Sequence, residues 1–279
     1  MSIHDWGVAN DHFVDASVSN RRFVIDLAKS GAIQILTTYV ESLAHAGSND
    51  AYRDFSALGM PYLFSGHDHA TRVLDGTIGD SILGQLNNGI VGLAFTYSGG
   101  YRIYTGRKAI RTLEDFSGAR TACSLSDVSR KTVEILGGTP VQIQIDYLKE
   151  CLDNNEADIG STTWARFFTG NYETSADYIS ETHHSMFLTC MVMNEGLFNS
   201  LPAEVQTIFR EAAKNAAKVE RVESVADNDV IKARAIAAGI EVVVPSAEET
   251  ERMKLATRPL YDELKDTFSP GLLNDILAA

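Results

Sequence analysis

The sequence predicts an α/β protein built as two lobes. Three observations carry that expectation. The chain has 279 residues, long for one compact core. Apolar strands alternate with amphipathic helices over most of its length. And residues 201–239, LPAEVQTIFREAAKNAAKVERVESVADNDVIKARAIAAG, read as one helix longer than a single domain needs, as expected of a spine between lobes.

The first elements follow from local pattern. SNRRFVIDLAKSG (19–31) is predicted helical: Ser19 or Asn20 can cap it, Phe23, Val24 and Leu27 share a face, and Gly31 ends it. AIQILTTY (32–39) is a β-branched apolar strand, and ALGMPYLF (57–64) is extended around Pro61. HATRVLDG and IGDSILGQLNNG are short helices closed by Gly76 and Gly89. IVGLAFTY (90–97) is a nearly unbroken apolar run, as in a strand covered on both faces. Gly99 and Gly100 then interrupt the pattern, and the first crossing between lobes is placed there.

In the second region Thr112 and Asp115 form a capping box for the turn LEDFSG. ARTAC (119–123) is a strand, DVSRKTVEILGG a helix ended before Gly137, PVQIQI a strand and DYLKECLDN a helix. ADIGSTTW is a short strand running into a polar loop, and SMFLTCMVM (185–193) another strand. This βαβα order argues for parallel sheets. Pro202 suits the first turn of the spine and Gly239 its stop, with Val205, Ile208, Phe209, Ala212, Ala216 and Val219 on one apolar face. IEVVVP follows as a strand, and SAEETERMKLATRPLYDELKDTF as a final helix kinked at Pro259.

Composition narrows the function. Hydrophobic residues make up 44% of the chain, enough to fill real cores. The formal net charge is −13 and no block of Lys and Arg stands out, which argues against nucleic acid as a partner. No apolar run approaches the ~20 residues that span a bilayer. The opening MSIHDWGVANDH lacks a basic region followed by an apolar one and is not read as a signal peptide. The expectation is an intracellular protein, or one whose leader has been cut away. Cys123, Cys151 and Cys190 have no metal-binding spacing and are read as buried free thiols.

ALGMPYLFSGHDHATRVLDGTIGD, GYRIYT with its basic loop and TLEDFSG, LGGTPVQIQIDYLKECLDNNEADIG, and SLPAEVQTIFREAAKNAAK stand in this order. Together, from about Ser19 to the C-terminus, they resemble the solute-binding proteins of tripartite ATP-independent periplasmic (TRAP) transporters, of the DctP-like kind. The resemblance implies a two-lobed periplasmic-binding-protein-like α/β fold, with mixed sheets, crossing hinge strands and a long spine helix. It puts residues 1–99 plus 188–227 in an N-terminal lobe, and 100–187 plus 228–279 in a C-terminal lobe. It implies capture of a small-molecule ligand, an organic acid or hydroxylated metabolite, between the lobes. It further implies delivery to membrane permease subunits, a periplasmic location, no cofactor and no chemistry.

The resemblance also exposes departures. Arg102 in GYR matches the family's first ligand-binding arginine. The second, which holds a carboxylate with a planar two-pronged guanidinium, falls on Ala122 in GARTACS. The family's DGQENP-like loop becomes DIGSTTW, with Ser161 for its Glu and Thr162 for its Asn. Residues 1–18 are too few for the opening strand and helix of the family plus a connection, although FVDASV could supply one strand. The first strand is therefore expected to be missing, and a self-association into a homo-oligomer is one way to cover the exposed edge.

Candidate ligand-binding residues are thus Arg102, Ala122 and Thr162, with Tyr39 and Glu41 at the carboxyl end of a strand, where ligands sit in open sheets, and Trp164 as a stacking surface. For Arg102 the competing role is a structural ion pair near the hinge; for Trp164 it is core packing. Arg120 shares a strand face with Ala122 but reads better as a solvated charge. The HDH at 67–69 begins a helix and has no further metal ligands at the right spacing. No Ser-His-Asp arrangement, phosphate loop or metal spacing suggests an enzyme. The expected function is solute capture for a TRAP-type transporter at a site lacking its usual arginine; the alternative is an interaction or sensor protein that kept the fold and left transport.

Overall fold

The computed structural model describes residues 20–46 and 51–279. The stretch FVDASV, read as one strand, and the expectation that the opening strand is lacking both fall outside those residues.

Among the described residues, two sheets organise the molecule. The first has the order β1-β8-β2, from Ile35–Tyr39, Met186–Asn194 and Ile90–Tyr101. The second has the order β5-β4-β6-β3-β7-β9. Its strands are β3 (Ile103–Gly106), β4 (Arg120–Cys123), β5 (Thr139–Gln142), β6 (Ile159–Thr162), β7 (Tyr178–Ser180) and β9 (Glu241–Val243). Strands β4, β5 and β6 run parallel, β7 runs parallel to β9, and β3 is antiparallel to both its neighbours. The described strands of the first sheet are antiparallel, contrary to the parallel expectation. The reason is the crossover. β2 leaves the first sheet for the second, and β8 returns beside it, so the two must run in opposite directions.

The crossing is built on glycine. Gly99 and Gly100 adopt φ of +88° and +75°, in a break of register between β2 and β8. A Cβ on Gly99 would come within 2.6 Å of the Thr163 hydroxyl, and one on Gly100 within 2.8 Å of Val225. Side chains therefore fail here for two reasons, backbone conformation and space. Two residues later Arg102 N–H donates to Ser185 O at 2.8 Å, joining the outgoing strand to the returning one.

The spine differs from expectation twice. It is two helices, Ala203–Ala226 and Asn228–Ala237, interrupted at Asp227. Its buried face keeps only part of the expected apolar stripe, with Phe209 half-buried in the same cluster. Ile208 and Val219 are exposed, whereas Ala213, Ala217 and Arg221 are buried against β2, where Ala213 and Ala217 pack with Leu93 and Ala94. Small residues let the helix approach the strand closely enough for its polar side chains to reach backbone. Glu220 accepts from Tyr97 N–H at 2.8 Å, Ser224 from Gly99 N–H at 2.9 Å, and Arg221 donates to Phe95 O at 2.6 Å. The first two bonds satisfy backbone groups where the break between Tyr97 and Gly100 interrupts the ladder.

The C-terminal segment, expected wholly in the second lobe, packs on both. β9 extends the second sheet and Met253 joins Tyr104, Ile110 and Phe116. Leu260, Leu264, Leu272 and Ile276 instead enter the core of the first sheet, with Phe55, Leu63 and Phe95. The helix Ala247–Leu264 spans the distance, since 18 residues reach about 27 Å. Pro259 lies inside that helix without ending it. Further on, Tyr261 Oη donates to Pro61 O at 2.7 Å.

Candidate functional site

A cavity of about 260 Å³ opens where the two sheets meet the crossing strands. One wall comes from the carboxyl end of β1 and the short helix after it: Tyr39, Glu41 and Ser42, with the exposed His45. The opposite wall comes from the second sheet: Ala122, Cys123 and Leu125 after β4, Ile143 and Ile145 after β5, and Leu148. Arg102 and Phe187, from the two crossings, line it between those walls.

Arg102 is held from two directions. Its Nη2 donates to Glu41 Oε1 at 3.0 Å, and its guanidinium lies 3.8 Å from the centroid of the Phe187 ring. Tyr39 stacks on that same ring, with centroids 4.7 Å apart. The Arg102 side chain is 7% exposed and Glu41 25%. Arg102 is thus both the ion-paired residue and the cavity-lining residue that the sequence offered as alternatives.

The position of the second arginine is occupied by Ala122, 1% exposed, on an apolar wall. No other arginine replaces it among the described residues lining the cavity. Arg120 points its charge to Asp158, at 2.6 Å, on the surface. Arg166 donates to the Tyr39 hydroxyl at 2.9 Å and reaches Asp146 at 3.3 Å, but does not line the cavity.

The DIGSTTW loop divides by the pleat of β6. Ser161 lines the cavity, whereas Thr162, paired with Ile103, is fully buried and does not. Ser161 Oγ lies 3.1 Å from His184 Nε2, and His184 Nδ1 lies 2.8 Å from Thr182 Oγ1. The His184 ring stacks on Tyr104, with centroids 4.2 Å apart. Burial, reinforced by the Arg102 charge, holds His184 well below the ordinary imidazole range, so it is neutral at pH 7. Burial likewise pushes the Cys123 thiol up to about 11, which leaves it an unreactive part of the wall. All three cysteines are buried and free.

Trp164 stands elsewhere. It is 3% exposed, its Nε1 donates to Glu181 at 2.9 Å, and it borders a second hollow at the hinge with His67, Tyr101, His183 and Lys232. Of the six residues singled out from sequence, Tyr39, Glu41, Arg102 and Ala122 share the main cavity; Thr162 and Trp164 do not. Ser161, noted only as a replacement in the altered loop, lines the cavity in place of Thr162, and Phe187 and the pair Ile143 and Ile145 line it without having been singled out. The alternation in PVQIQI was a signal for that pair. Phe187 had none, because only the pairing of β8 with β2 brings it beside Gly100 and so near Arg102.

The model of the bacterial extracellular solute-binding protein family 7, DctP, matches residues 12–267. This chain belongs to that family. Family members and their structural neighbours are substrate-binding proteins and not enzymes. Among its relatives, the C4-dicarboxylate-binding protein DctB of Bacillus subtilis is 22% identical over 259 residues, covering 91% of this chain and 71% of the relative. The 2,3-diketo-L-gulonate-binding periplasmic protein YiaO of Escherichia coli is 24% identical over 240 residues, covering 83% and 69%. A TRAP periplasmic solute-binding protein from Xanthobacter autotrophicus Py2 with bound β-D-galacturonate superposes with a TM-score of 0.80 at 26% identity, over 92% of this chain and 83% of that one. A second, from Shewanella oneidensis with bound succinate, has a TM-score of 0.82 at 18% identity, over 91% and 82%, a likeness of fold alone.

Proposed function

We propose that this protein captures a small solute in the cavity between its lobes and delivers it to the membrane permease of a TRAP-type transporter, at a site without the usual carboxylate-binding arginine. The observation that carries the reading is the position of the cavity. It takes walls from both sheets and a floor from both crossing strands, so a ligand there touches both of the bodies that a hinge would move. Arg102, Tyr39 and Glu41 are among its polar contacts, and Ala122 contributes to the apolar character of the opposite wall. A periplasmic location goes with this role. The two lobes are the first sheet with its helices and the second sheet with its own, tied together by the spine and the helix Ala247–Leu264.

Native mass spectrometry of freshly purified protein tests the reading. A retained small molecule, released on denaturation, is the expected result. Its absence from every preparation, together with no response to any added metabolite, favours an interaction or sensor role instead.

A further inference from the structure

Ligand class can be argued from the charges that face the cavity, on the assumption that the cavity binds solute at all. Among the described lining residues, Arg102 and Glu41 carry the only permanent opposite charges, and they lie 3.0 Å apart. The remaining titratable groups there are the exposed His45, the Tyr39 phenol and the neutral thiol of Cys123. The pair sums to zero. A dicarboxylate or sugar acid entering the cavity is attracted by Arg102 and repelled by Glu41 over nearly the same distance, so the two effects largely cancel. Such an anion keeps its desolvation cost and gains little in return. At the Ala122 position, where a second guanidinium would tip the balance, the wall is hydrocarbon.

A molecule that carries both signs meets the opposite situation. Its anionic group gains from Arg102 and its cationic group from Glu41, without leaving either protein charge unpaired in the cavity. The far wall then decides the body of the ligand. Ala122, Ile143, Ile145 and Leu148 present apolar surface, and the Phe187 ring with its Tyr39 neighbour presents flat aromatic surface. Ser42, Ser124 and Ser161 add hydroxyls that accept or donate without adding charge. We propose that the cavity selects a zwitterion with a compact apolar body, its carboxylate at Arg102, its ammonium at Glu41 and its apolar part against Ile143, Ile145 and Leu148. An amino acid with an aliphatic or aromatic side chain has this chemistry.

A series matched in skeleton and differing only in charge tests this by isothermal titration calorimetry on the full chain. L-Phenylalanine is compared with 3-phenylpropanoate and 2-phenylethylamine, and L-leucine with 4-methylpentanoate and 3-methylbutylamine; succinate and D-galacturonate complete the panel. In at least one series the zwitterion binds at least about tenfold tighter than both singly charged analogues. Glu41→Gln brings the zwitterion and the carboxylate of that series to similar affinity, with the fold checked by circular dichroism. The wild-type comparison stands by itself should that variant fail to fold. A protein that binds succinate, D-galacturonate or the simple carboxylates as tightly as the zwitterions overturns the proposal and leaves solute binding intact. A protein that binds none of the panel overturns the proposal, and native mass spectrometry then decides separately whether any solute is carried.

Discussion

Arg221 and Arg102 form comparable ion pairs in two parts of the molecule. Under the spine, Arg221 pairs with Asp75 at 2.6 Å and donates to Phe95 O, with side chains 4% and 14% exposed. In the cleft, Arg102 pairs with Glu41 at 3.0 Å and lies over Phe187. Burial of the guanidinium is alike. The surroundings are not: Arg221 is bounded by β2 and its own helix, whereas Arg102 borders an open cavity. A buried arginine with a carboxylate is therefore no sign of a binding site by itself. The sign is unfilled space beside it.

Disrupting the two pairs has different consequences. Arg221→Ala leaves Asp75 without its partner in a buried place and removes the donor to Phe95 O on β2. It should cost about 3–5 kcal/mol in denaturant unfolding. Loss of ligand affinity without loss of stability would show the spine pair to be part of the site.

Ala122→Arg tests the cleft from the other side. The added side chain meets a packed wall and should destabilise the protein by about 1–3 kcal/mol. It should also raise affinity for succinate or D-galacturonate, because it breaks the charge balance set by Arg102 and Glu41. Calorimetry reads both effects in one variant, and unchanged anion binding would mean that charge balance does not set selectivity.

A pH titration sharpens the comparison further. Burial lowers the imidazoles of His67, His183 and His184 from their ordinary value of 6.5. The unfolded chain then binds more protons than the folded one below that value, so stability is full above it and falls as pH drops. Melting temperature should decline between about pH 7.5 and pH 5.5. His184→Gln, whose amide can still meet Ser161, should flatten part of that decline. A slope that the variant leaves unchanged would exclude His184 as its source.

The smallest effect is expected at Arg120. Its pair with Asp158 is 44% and 32% exposed and solvent-screened, so Arg120→Ala should change neither melting temperature nor affinity measurably.

How far the sequence reached follows from which signals are local. The glycine break, the capping role of Asp115 and the strand end at Tyr39 depend on near neighbours, and were legible; Glu41, read as part of that strand, opens the helix after it. Asp115 does accept from Thr112 N–H and Arg111 N–H, both at 2.8 Å. The fold came through the resemblance, because crossing strands leave no local mark. Misreadings came where tertiary geometry decides. On β6 a single step of the pleat turns Ser161 into the cavity and Thr162 away from it. On the spine, close approach to β2 favoured alanines over the larger residues of the apolar stripe. Arg102 matched the family in identity, but its carboxylate partner sits 61 positions away and appears only in three dimensions.

Solution scattering with and without ligand addresses the central claim, that the cavity between the lobes is a solute site closed by a hinge at Gly99 and Gly100. The probe is the panel compound that raises the melting temperature most. Saturation should reduce the radius of gyration, as the wall of Ile143 and Leu148 moves onto the wall of Tyr39 and Glu41. A tight ligand that leaves the scattering profile unchanged would contradict the claim.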